Sequence, residues 1–206
     1  MPTNVKITKE MILNAAFDIA RERGIDGVSN REIAKKLNCS IRPIYYQFKN
    51  TDELKMELCN KIEKYFYSFL FGNIVPDVPE YKQIGINYIR FAKEEQNLFR
   101  LLFMSDSDYF MNSFIDRDEK DFGELNKIIK LSTKLSDEEI ESFHVLMWVF
   151  TQGIASLVAS GSVKFTDKQV RDMLSYQFQA LMLLKENPNN KWIIKGNNFK
   201  EENNND

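Results

Sequence analysis

Within ten residues the chain places Ser40, Ile41, Arg42, Pro43, Tyr45, Tyr46, Gln47 and Lys49. No paired acid and base and no activated nucleophile stands among them. What this set can do is hydrogen-bond to polar edges and to anions. An arginine makes paired bonds to guanine O6 and N7, and a glutamine does the same with adenine. Tyrosine and serine hydroxyls and helix N-termini hold phosphate oxygens, which sets register without reading sequence. Ile41 and Pro43 offer apolar contact to a thymine methyl. Ser29, Asn30 and Arg31, just upstream, add further phosphate or base donors. Together these eleven residues are the candidate contacts to duplex DNA. Tyr45 serves equally well as a core residue, and Phe48 is expected to be core.

The elements that must position these side chains are short helices. Ser29 with Glu32 has the spacing of a capping box that opens a helix. Ile33, Ala34 and Leu37 continue it at helical spacing. Asn38 tolerates the left-handed conformation of a helix end. Ser40 is placed to cap the next helix, with Pro43 in its first turn, where a missing N–H costs little. Helix, tight turn and helix over about twenty residues is a helix-turn-helix. Charge agrees with a polyanionic partner. Residues 1–50 hold nine Lys/Arg against five Asp/Glu, a net +4, although the whole chain is −2. The rest carries nineteen against twenty-five, a net −6. An acidic average thus conceals a basic N-terminal segment.

The pattern from Thr8 to Leu58 resembles the TetR family of bacterial transcriptional regulators. The resemblance rests on ITKEMILNAAFDIARERGIDGVSNREIAKKL, the IRPIYYQF helix, and KNTDEL opening a long fourth helix. The resemblance implies that Thr8 caps the first helix and that Tyr45 touches the phosphate backbone. Three positions depart from the family's common pattern: Asn38 for Gly, Cys39 for Val, and Thr51 for Lys. The last removes a usual phosphate contact, for which Lys49 is the available substitute. Residues 86–105 and 148–157 resemble one branch of the family, with Gln152 where its Trp…His-Gly motif has His. The resemblance implies a ligand-responsive body.

That body reads as helical throughout. The first helix spans about Thr8 to Arg23, with Ile12, Ala16, Ile19 and Ala20 buried, and stops at Gly24. The fourth begins near Thr51 and carries Leu54, Leu58, Ile62, Phe66 and Leu70 at i, i+4 spacing. It is the natural lever from the DNA-reading segment to the body. Further helices are expected over about Glu80–Glu94, Asn97–Met104, from Asp121, from Ser136 to Ser160 with Gly161 as stop, and over about Asp167–Lys185 behind Thr166. The fold expected is all-α: a three-helix DNA-binding domain at 1–50, a ligand-binding and dimerisation domain at 51–185, and a polar tail at 186–206. Trp192, Ile193 and Ile194 offer that tail a means of docking.

The last two long helices are apolar around more than one face, so they are expected to pair with their copies in a homodimer. Apolar and polar side chains at Phe66, Phe69, Tyr88, Phe91, Phe99, Phe103, His144, Met147, Trp148, Phe150 and Gln152 are candidates to line a pocket for a small, mostly apolar effector. Aromatic stripes at helical spacing also build ordinary cores, and both readings stand for each residue.

Other classes fare poorly. Glu141-Ser-Phe-His144 has the spacing of a di-metal bundle motif, but one histidine cannot supply the second copy. No nucleophile elbow or phosphate-cradling glycine loop is present. An enzyme, a cofactor and a bound metal are not expected. Cys39 and Cys59 lack metal-ligand spacing and read as free thiols. Cys39 is a small apolar residue in the turn or, alternatively, a redox-sensitive one. No apolar run reaches membrane length and no signal core opens the chain, so a cytoplasmic protein is expected. The competing function is a helical protein-interaction module whose DNA binding is weak or lost.

Overall fold

The computed structural model describes residues 6–72, 74–104 and 119–186, the side chains of 119–122 and 124 excepted. The described residues form helices and connections without strands. In order these are α1 (Lys9–Arg23), a one-turn 3-10 helix (Ile25–Gly27), α2 (Asn30–Lys36), α3 (Arg42–Gln47), α4 (Thr51–Leu70), α5 (Glu80–Glu94), α6 (Gln96–Phe103), α7 (Glu119–Thr133), α8 (Asp137–Ala159) and α9 (Asp167–Lys185). The tail, with Trp192, Ile193 and Ile194, lies outside the described residues.

The chain divides into two compact units. The first comprises Met1–Leu70 with Phe91–Asp116, the second Phe71–Arg90 with Arg117–Asp206. Helix α5 therefore starts in the second unit and ends in the first.

In the first unit, α1 packs against α4 and α6. Ala15, Ala16 and Ala20 line its buried face beside Ile12 and Ile19, so neighbouring helices can approach closely. Helix α4 buries the expected stripe of Leu54, Leu58, Ile62, Phe66 and Leu70. The Phe66 ring meets Phe91 at 5.0 Å and Phe103 at 5.2 Å between centroids, both edge-on, the favoured aromatic geometry. Each such buried side chain contributes about 1.5–3 kcal/mol of transfer free energy. Thr8 caps α1 by accepting from the Met11 N–H at 3.2 Å. Gly24 ends the helix at φ 76°, a conformation that costs glycine little and L residues more.

In the second unit, α8 packs against α7 and α9. Phe143, fully buried, meets Tyr81 at 5.7 Å and Phe178 at 5.4 Å. The capping box at Ser136 and Glu139 is closed in both directions. Thr166 forms a second one with Gln169. Gly161, at φ 75°, follows α8 where the stop was expected.

Among the described residues α8 is long and apolar enough to cross a membrane, although no uninterrupted apolar run reaches that length. The difference is one of averaging, since His144, Thr151 and Gln152 are among the polar residues that interrupt the run. Ile140, Phe143, Met147, Ile154 and Ala155 of this helix are buried within the protein, which is the pattern of a core helix.

Candidate nucleic-acid interface

The helix-turn-helix is built by a division of labour within one short helix. Ile44 (1% exposed) and Phe48 (3%) point into the first unit and hold α3 in place. Ile41, Arg42, Tyr45 and Tyr46 point out, with Tyr45 59% and Tyr46 84% exposed. This resolves Tyr45, which the sequence left open: its ring is not in the core. Ser29, Arg31, Ser40 and Lys49 are also exposed, and Asn30, Pro43 and Gln47 are half-buried. An outward face of one guanidinium, two phenols and one branched apolar side chain can bond to phosphates and base edges and contact methyl groups. Asn30 Oδ1 is buried and accepts no hydrogen bond.

The turn is formed as expected at one point and differently at two. Asn38 takes φ 49°, and the Cys39 N–H reaches back to the Ala34 carbonyl at 2.9 Å. Ser40, however, does not cap α3. The cap position is Ile41, without a side-chain bond, and Pro43 sits one residue inside the helix start. With Pro43 there, one N–H that a capping serine would satisfy does not exist. The Ser29 hydroxyl does accept from the Glu32 N–H at 3.2 Å. The Glu32 carboxylate does not complete a box but accepts from Arg23 Nη1 at 2.7 Å, tying α1 to α2. That bond holds the Glu32 carboxyl below its ordinary pKa. A charged partner outcompetes a backbone amide for the same oxygens.

Further ties fix the module. Lys36 Nζ lies 3.3 Å from Asp18 and 3.5 Å from Glu22. Lys9 pairs with Glu57 on α4, and its ammonium stands 5.0 Å over the Phe48 ring. Asn50 Oδ1 accepts from the Glu53 N–H at 2.8 Å, and Glu53 accepts from the Lys49 N–H at 2.6 Å. The start of α4 is thus closed by its own side chains, and the Lys49 side chain stays exposed. Cys39 is half-buried and Cys59 buried, both as free thiols, and burial pushes Cys59 up to about 12.

The candidate pocket residues fall into two groups. Phe66, Phe91 and Phe103 come together in the first unit, with Phe69 and Phe99 also against them. Tyr88, His144, Met147, Trp148 and Gln152 lie in the second. There Tyr88, 4% exposed, donates to Gln152 Oε1 at 2.5 Å, and Gln152 Nε2 donates to the Ser156 hydroxyl at 3.3 Å. Tyr81 faces His144 Nδ1 at 3.3 Å. Burial drives the Tyr81 and Tyr88 phenols far above their ordinary pKa. Polar residues at 144, 152 and 156 thus share one face of α8 with Trp148 and receive two tyrosines of α5. The Tyr81 pair was missed from sequence, because nothing local marks which tyrosine of a helix meets a distant histidine.

The described residues thus hold an N-terminal helix-turn-helix followed in the chain by further helices. Residues 12–58 match the family model of bacterial regulatory proteins of the tetR family. No curated protein sequence matches the chain. Solved structures with the same fold include a TetR-like transcriptional regulator from Rhodococcus sp. RHA1, at TM-score 0.61 and 19% identity over 87% of this chain and 96% of that one. A putative TetR-family regulator from Vibrio parahaemolyticus aligns at 0.60 and 21% identity, covering 84% and 96%. A TetR-family regulator from Haemophilus influenzae RD aligns at 0.61 and 18%, covering 83% and 94%. Residues 12–58 thus match the tetR-family model, and over 83–87% of its length the chain shares the fold of these solved regulators.

Proposed function

We propose that the protein is a repressor that binds a palindromic operator as a homodimer and is released by a small, mostly apolar effector. The observation that carries the DNA half is the face of α3: Ile44 and Phe48 anchor it, and Ile41, Arg42, Tyr45 and Tyr46 are left outside. In this reading the DNA-binding domain is 1–50 and the effector and dimerisation domain 51–185. The protein acts in the cytoplasm and catalyses no reaction.

Support for the dimer comes from α8 and α9. Val149 (57% exposed), Gly153 and Leu157 (44%) follow at i, i+4 spacing on one outer face of α8. A glycine inside a helix costs about 1 kcal/mol against alanine. Nothing in the described chain requires it at 153, since an added Cβ would meet no atom within 4 Å. A second copy crossing at Gly153 supplies the reason. On α9, Tyr176 and Leu183, each 67% exposed, extend the apolar surface, and Phe178, Gln179, Met182, Leu183 and Glu186 line a shallow groove. To bind one palindrome, such a dimer must hold its two α3 helices about 34–36 Å apart, one turn of duplex. Support for an effector rests on Tyr88, Trp148 and Gln152, polar groups beside aromatic rings. To release the operator, the effector must bind the non-binding conformation more tightly than the binding one.

Sedimentation equilibrium tests the assembly. The wild type is expected to sediment as a dimer and Gly153→Arg as a folded monomer with weakened duplex binding. A monomeric wild type, or a Gly153→Arg dimer of unchanged affinity, contradicts it.

A further inference from the structure

Glu95 is a carboxylate kept in the interior. Its side chain is 3% exposed, and it sits at the corner between α5 and α6 with φ −120° and ψ 48°. Its backbone is held on both sides. The N–H bonds to the Phe91 carbonyl at 2.8 Å, and the carbonyl accepts from Phe99 at 2.8 Å. The carboxylate grips two other helices. Arg21 of α1 donates through Nε to Oε2 at 2.7 Å and through Nη2 to Oε1 at 2.5 Å. The Tyr65 hydroxyl of α4 donates to Oε1 at 2.9 Å. Asn97, the second residue of α6, donates to the Arg21 carbonyl at 3.0 Å, so α1 is held by side chain and by backbone. The Arg21 pKa is raised, first by its bond to Glu95.

Stability alone does not explain this arrangement. Taking a carboxylate out of water costs several kcal/mol, and a well-packed apolar group of the same volume often serves as well. A forked Arg–carboxylate pair gives something an apolar contact does not, a fixed angle and distance between the two backbones. Two residues beyond Arg21, Arg23 holds Glu32 in the first turn of α2. The pose of the end of α1 therefore reaches the start of the helix-turn-helix.

Helix α5, which ends at this corner, begins in the second unit, where its Tyr88 is bonded to Gln152 of α8. We propose that Glu95 is a positioning residue. It is the joint by which α5 sets the pose of α1 and, through Arg23 and Glu32, of the DNA-reading helices. The coupling element is then α5 with its charged corner, in addition to the long α4. The functional meaning of the joint rests on the DNA-binding reading, but its mechanics do not.

A mutant cycle on the full chain, read by hydrogen exchange, tests the mechanics. Tyr88→Phe removes one hydroxyl at the far end of α5. It is expected to raise exchange over residues 16–36 about threefold or more in the wild-type background, a local opening effect. With Glu95→Gln already present, Tyr88→Phe is expected to change that segment no further. Equal effects in both backgrounds, or none in either, overturn the proposal. If Glu95→Gln does not fold, Arg21→Gln, at a position half exposed to solvent, opens the same fork and takes its place in the cycle. On a duplex that the wild type selects, the fork-opening variant is expected to bind about 2- to 30-fold more weakly, the range of coupling through such joints. Unchanged affinity overturns the proposal. A wild type that selects no duplex removes the DNA-binding reading instead, and the exchange cycle, read without DNA, still decides the joint.

Discussion

The helix-turn-helix and the helical body use polar side chains in opposite ways. In the module, Arg42, Tyr45 and Tyr46 face out, while the charges that hold it together pair at its surface, Arg23 with Glu32 and Lys36 with Asp18. In the body, two tyrosine hydroxyls of α5 turn inward: Tyr81 to His144 and Tyr88 to Gln152. The lesson is that exposed polar groups on a rigid frame are available to a partner at no cost to the fold. Buried ones are committed to each other, and any ligand must replace what it breaks.

This contrast sets the order of the expected effects. Core truncation should be largest. Phe66→Ala removes a ring that is 1% exposed and set edge-on against Phe91 and Phe103, and should destabilise the chain by about 3–5 kcal/mol in urea melts. A loss under 1 kcal/mol would mean that the aromatic cluster is loosely packed. On the outward face, Arg42→Ala should leave the melting temperature unchanged and cost about 1–3 kcal/mol in binding to the preferred duplex. A drop in stability without a drop in affinity would reverse the contrast, making Arg42 structural. Ser136→Ala opens the capping box of α8 and should cost about 1 kcal/mol by thermal melting.

The smallest effect is acidic. The Ser136 backbone N–H holds the Glu139 carboxyl below its ordinary pKa, with Lys185 adding to the shift. A carboxylate with a lowered folded pKa adds stability above its unfolded pKa and loses it as pH falls through the folded one. Wild type should therefore lose slightly more stability than Glu139→Gln between neutral pH and about pH 3, as seen by chemical melts at both. Equal losses would show that the bond does not persist in solution.

The sequence disclosed what is local. The Leu54-to-Leu70 stripe, the Ser136 box, the Thr166 cap and the stops at Gly24, Asn38 and Gly161 each follow from local spacing, and each formed, as did the Thr8 cap that the resemblance implied. It misjudged Ser40 as a cap, because the helix starts one residue later than the serine suggests and Pro43 follows. It gave Glu32 a local backbone partner when Arg23, nine residues away, was stronger. It left Tyr45 undecided, since a six-residue helix is too short for periodicity to fix its phase. The Arg21–Glu95 fork, 74 residues apart in the chain, carries no local mark at all. On the DNA face, residue types and their spacing were legible. In the body, aromatic residues were legible as buried, but not which of them meet one another.

The central claim, that the outward face of α3 reads operator DNA, is tested most directly by selection from random duplexes with the purified full chain at two salt concentrations. The account predicts an enriched palindrome whose half-sites lie about one helical turn apart, with affinity falling as salt rises. Weak binding that enriches no sequence would contradict it and favour a helical body that binds another protein.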